Sequence, residues 1–68
     1  MLEVNIETTK DKHAVWCKDY QLSTINNICT LEFQEGYILE PFKRAVITIA
    51  HFPLHNLVSI IETEINNE

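Results

Sequence analysis

"HFPLHNLVSIIETEI", His51–Ile65, is the stretch on which the fold turns. Leu54, Leu57, Val58, Ile61 and Ile65 recur at intervals of three and four, the spacing of one helical face. Pro53 suits a first helical turn, where its missing N–H has no partner to lose. His55, Asn56, Ser59, Glu62, Thr63 and Asn66 then make the polar side. Two features run against a lone helix. Ile60 lies off the stripe and widens the apolar face, and Glu62, Glu64 and Glu68 crowd the end where the helix dipole favours cations. The spacing predicts one C-terminal amphipathic helix over Leu54–Ile65.

Upstream the period is two. "LEVNIE" sends Leu2, Val4 and Ile6 one way and Glu3, Asn5 and Glu7 the other, a half-buried strand. "TTKDK" is a polar turn. "HAVWCK", His13–Lys18, is rich in strand formers. Asp19–Asn27 is turn-prone in composition, with Leu22 and Ile25 to pin it to a core. "ICTLEF", Ile28–Phe33, alternates again. "QEG" reads as a turn around the single Gly36, and "YILE" as a short strand that Pro41 ends or places at an edge. "KRAVITIA" is the strongest strand. Ala45, Ile47 and Ile49 face one way and Val46, Thr48 and Ala50 the other, so both faces are largely apolar, as in a central strand. The expected fold class is α+β: an antiparallel sheet of four or five short strands, then one helix packed on one face.

The chain of 68 residues is one domain, 1–68, with a core that is marginal alone. Apolar residues are 46% of it, too many for disorder. One glycine leaves no phosphate-cradling loop. The net charge of −5 opposes general nucleic-acid binding and anionic membranes, and favours basic partners. No signal-peptide core and no membrane-length apolar run is visible, so a cytoplasmic location, in a cell or in an infected host, is the expectation. Cys17 and Cys29 form no CxxC motif and read as buried thiols, with a bridge open if their strands adjoin.

Chemistry is sparse. His51 and His55 lie four apart, but Pro53 separates them and Phe52 stands where HExxH has Glu. Cys17 and His13 on one extended strand would be about 13 Å apart, too far for a nucleophile–base pair. The chain therefore reads as non-catalytic, without metal or cofactor. Glu62, Glu64 and Glu68, with Glu32, Glu35 and Glu40, suggest either an acidic contact surface or a solvated face. Trp16, Val46, Phe42 and Tyr37 cannot all lie under one helix, so the second sheet face is either exposed or covered by another copy.

"KRAVITIAHFPLHNLVSIIETEI", Lys43–Ile65, runs from basic residues through a strand and a short turn into the expected helix. This order resembles the C-terminal half of small sheet-then-helix domains. One is the single-stranded-DNA-binding transcriptional coactivator family, and another is a small bacterial family whose strand runs into a Pro–His helix start. The likeness covers the last third of the chain and, loosely, the "HAVWCK…ICTLEF" hairpin. It implies four antiparallel strands, a helix and dimerisation through that helix. It also implies that Lys18, Lys43, Arg44 and Trp16 are the residues to test for single-strand binding. The acidic balance of this chain departs from such a binder.

The expected role is a small non-catalytic protein that works through protein–protein contacts, as a homodimer. An acidic inhibitor or regulator of a larger partner is one form of it, and a phage-encoded or toxin-neutralising protein would fit the size and charge. The expected contact residues are Leu57, Ile60, Ile61 and Glu64 on the helix and Trp16, Tyr37 and Phe42 on the sheet. The alternative is a single-stranded nucleic-acid-binding dimer.

Overall fold

A computed structural model of the chain describes residues 1–40 and 43–65. Pro41, Phe42, Asn66 and Glu68, which figure in the sequence reading, lie outside the described residues. The alternating stretches form strands. β1 (Leu2–Thr8) and β2 (Lys12–Cys17) make an antiparallel hairpin running from Leu2 opposite Cys17 to Glu7 opposite Lys12. Val4, Ile6, Val15 and Cys17 are all on its buried face. The connecting loop is tied by Thr8, whose N–H donates to Asp11 O at 2.8 Å and whose Oγ1 accepts from Asp11 N–H at 3.1 Å.

Asp19–Ile25 is a strand, β3, and not the irregular stretch its composition suggested. It pairs residue for residue with β4 (Ile28–Glu40), from Asp19 opposite Gln34 to Ile25 opposite Ile28. The turn between them is Asn26–Asn27, with φ of 51° and 63°. Two successive left-handed residues match the twist of a tight hairpin, and Asn tolerates that conformation better than most residues do. The turn-prone residues were therefore read correctly, but for two positions and not nine. β2 and β3 keep a single register against β4, and Lys18 N–H donates to Gln34 O at 2.9 Å. Together they act as one long strand bent at Lys18.

"QEG" is not a turn. β4 passes through it as a 13-residue strand, and the irregularity lies in its pairing with β5 (Lys43–Pro53), between Glu32 and Gly36. Glu35 takes a φ of 53° there. Gly36 lies so close to β5 that a Cβ would stand 2.8 Å from Ile47 O and 2.8 Å from Phe33 Cβ. A glycine inside a strand commonly marks a bulge or close backbone approach, and here it marks both. At about 3.3 Å per residue a strand of this length spans roughly 43 Å. That matches the 39 Å long axis of the molecule.

The expected helix is absent. Leu54–Asn56 is one 3-10 turn, and Leu57–Glu64 is a strand, β6, antiparallel to β1 with Ile6 opposite Ile60 and Leu2 opposite Glu64. The reason is visible in the residues. Val58, Ile60, Ile61 and Thr63 are β-branched and stiff against a helical turn. β1 would also leave a row of backbone groups unpaired without β6. The two features that disfavoured a helix, Ile60 off the stripe and glutamates at the C-terminal end, are both unremarkable in a strand. The fold is therefore all-β and not α+β, and the likeness to sheet-then-helix domains loses the element that carried it.

The six strands form one curled antiparallel sheet, a half-barrel, in the order β3-β4-β2-β1-β6. β5 lies along the other side of β4. The concave side holds the core: Val4, Ile6, Val15, Cys17, Leu31 and Phe33, with Leu2, Tyr20, Ile38, Ile47, Ala50, Phe52 and Ile60 packed around them. β5 is thus not central. Among the described residues it has a partner strand on one side only.

Candidate protein-binding surface

Cross-strand pairing decides which side chains share the convex face. Trp16 on β2 stands opposite Tyr37 on β4, and Tyr37 stands opposite Val46 on β5. On the other side of Trp16 is Glu3 of β1, opposite Thr63 of β6. Directly opposed residues share a face. The result is one row across the sheet: Val46, Tyr37, Trp16, Glu3, Thr63. The two aromatics are half-buried, and Val46 is 79% exposed. Trp16 Nε1–H donates to Glu3 Oε1 at 2.9 Å, and Asn5 Nδ2–H donates to Glu3 Oε2 at 3.0 Å. These two hydrogen bonds hold the Glu3 carboxyl below its ordinary pKa, the Asn5 bond more than the Trp16 bond.

β5 extends this surface. Ile47, Ala50 and Phe52 pack towards the core, and Ala45 stands opposite core-packed Ile38. Val46 and Ile49 face outward, Ile49 at 51% exposure. The strand is apolar on both sides, as its sequence indicated, yet among the described residues its second edge carries no strand.

The other expected contact residues are dispersed. A strand turns successive side chains to opposite faces, so Ile60 and Ile61 cannot share one. Ile60 is half-buried against the core, opposite Ile6. Ile61 is 58% exposed on the convex face, opposite Asn5. Leu57 is half-buried opposite Thr8, and Glu64 is exposed opposite Leu2. Trp16 and Tyr37 are brought together. Phe42 lies outside the described residues. Of the cations assigned to single-strand binding, Lys18 is exposed just beyond Trp16. Lys43 and Arg44 open β5, and their side chains fall outside the described part. Ile49 was missed as a contact residue because the strand was read as central. Its apolar second face was the signal.

The concave side has its own features. A cavity of about 350 Å³ opens between Ile6, Val15, Ile38, Ile47 and Phe52, with His13 and His51 also on its lining. His55 lies apart, exposed on the 3-10 turn. No three His, Cys, Asp or Glu side chains among the described residues are placed to hold a metal ion. Cys17 and Cys29 are both buried free thiols. Burial, then the negative charges of Asp19 and Glu62, pushes the Cys17 thiol up in pKa. Hydrogen bonding of Tyr20 to Glu62, and then burial, raises the Tyr20 pKa because both favour the neutral phenol.

No family model, no curated protein and no solved structure matches this chain. No helix among the described residues is long and apolar enough to cross a membrane.

Proposed function

We propose that this chain is a non-catalytic protein-interaction module that binds by accepting a strand along the free edge of β5. One observation carries the reading. β5 has the composition of a central strand, apolar on both faces, but the fold leaves it at an edge with Val46 and Ile49 exposed. Edge strands are ordinarily guarded by charge, proline or a covering segment. In β5 the charges, Lys43 and Arg44, and the proline, Pro53, stand at the two ends, and Ala45–Phe52 between them holds no Asp, Glu, Lys, Arg or Pro. Main-chain hydrogen bonds to a partner strand would supply affinity, and Val46 with the neighbouring Tyr37 and Trp16 would supply the apolar contact.

The nucleic-acid reading draws less support. A half-buried aromatic pair beside Lys18 could stack bases. However, Glu3 is bonded to the indole of that pair, and its carboxylate would sit against an incoming phosphate.

A synthetic peptide with the sequence of Ala45–Phe52 tests the edge directly. Added in excess to the full chain, diluted until it sediments as a monomer, it is expected to slow amide hydrogen exchange within β5 and to leave β3 and β6 unchanged. Slowing confined to β3 or β6, or none anywhere, would contradict the reading.

A further inference from the structure

The following rests on the reading of β5 as a strand-accepting edge. We infer that the strand it accepts is β5 of a second copy of this chain, antiparallel, with the two-fold axis passing between Ile47 and Thr48. Three observations lead there.

The first is register. In β5 the alternation of faces slips once. Ile47 pairs with Gly36 and packs inward, whereas Ile49 pairs with Glu32 and faces outward, so Thr48 takes up the step. An antiparallel neighbour must set inward residues against inward ones, or one copy turns its core face to solvent. Opposing Val46 with Ile49 of the second copy does this along the strand. Ala45 then meets Ala50, and Ile47 meets Thr48, at the step itself. The two exposed apolar side chains of each copy cover those of the other, twice by symmetry. The adjoining face-matched register instead sets Val46 against His51 and brings Pro53, which has no N–H, into the ladder.

The second is charge. The chain carries ten acidic residues, yet Lys43–Pro53 has none. Among the described residues the other strands with an unpaired edge do carry acid: β3 has one, Asp19 at its start, and β6 has Glu62 and Glu64. Two copies meeting through β5 oppose no acids along the ladder, whereas pairing through β6 would align glutamates in a chain that is already negative.

The third is closure. Pairing β5 with β5 is self-complementary and ends at two copies. Pairing β5 with β6 of the next copy would repeat without end and build a filament. The acidic β6 edge disfavours that course.

Sedimentation velocity of the full chain across a concentration series, with a cysteine cross-link, decides the matter. Val46→Cys and Ile49→Cys are made separately; both positions are exposed, and the native thiols are buried. The wild type is expected to sediment as a discrete dimer. After oxidation, an equal mixture of the two variants is expected to give disulfide dimers of one variant with the other, and either alone to give few. Val46→Lys is expected to weaken the dimer by roughly a hundredfold, since the loss counts in both copies, with its circular dichroism unchanged. A chain that stays monomeric, or cross-linking that ignores the mixture, overturns the proposal. If the monomeric chain still takes up the Ala45–Phe52 peptide, edge acceptance stands and only the second copy is removed as its occupant. If it takes up neither, both readings fall.

Discussion

Glu3 fixes the indole of Trp16 on the convex face, and its carboxylate form is what both hydrogen bonds favour. A lowered folded-state pKa contributes stability above the ordinary value of 4.5, and that contribution is lost as pH falls through the lowered value. Fluorescence of Trp16, the single tryptophan, should therefore be steady at and just below the ordinary carboxylate range and change only in stronger acid. Glu3→Gln should remove that step. A titration midpoint at or above 4.5 in the wild type would contradict the assignment. Gly36 is the other residue whose identity is dictated locally. A methyl group there meets the backbone of β5, which has little freedom to withdraw. Gly36→Ala should cost about 1–3 kcal/mol in urea unfolding, the range of overpacked sites. A cost near zero would show that β4 and β5 can separate at the bulge.

The strands of the first half were legible in the sequence because one face is buried and one is wet. Leu2, Val4 and Ile6 can alternate only as a strand, and the fold keeps them so. The C-terminal element was not legible by the same rule. Leu57, Val58 and Ile61 satisfy a helical period, but β6 is decided by a remote requirement, the open edge of β1. β-branching at Val58, Ile60, Ile61 and Thr63 was the local sign of it. The long β4 was divided in two because Gly36 reads as a turn signal, and a glycine that permits close strand approach gives the same signal. The strand assignment has a direct consequence at two adjacent positions. Ile60→Glu places a carboxylate against Ile6 and the core, and should cost about 2 kcal/mol or more. Ile61→Glu, on the convex face, should change stability by under about 0.5 kcal/mol. A helix packed through Ile61 would give the reverse order, so chemical denaturation of the two variants separates the folds.

At the scale of the whole molecule, a small core explains why the edges matter. Among the described residues five side chains are essentially free of solvent: Val4, Val15, Cys17, Cys29 and Leu31. Two of the five are cysteines, which contribute less apolar area than leucine or isoleucine. Chains this small often gain stability from association. The second sheet face, with Trp16, Tyr37, Phe42 and Val46, reads from the sequence as either exposed or covered by another copy; in the fold Trp16 and Tyr37 are half-buried, Val46 is exposed, and Phe42 lies outside the described residues. What the sequence could not show is that Trp16, Tyr37 and Val46 form one row ending at β5. That row depends on the register between β2, β4 and β5, which is set by the Asn26–Asn27 turn and the Gly36 bulge. Among the described edges of the half-barrel, β3 and β6 carry acids and β5 does not, which is the contrast on which the proposed strand addition at β5 rests.

The measurement closest to that claim is amide hydrogen exchange of the unmodified chain at increasing protein concentration. Amides of β5 that do not bond to β4 should slow as concentration rises, while those at the outer edges of β3 and β6 keep their rates. Rates in β5 that stay the same at every concentration, or slowing that falls on β6, would contradict it.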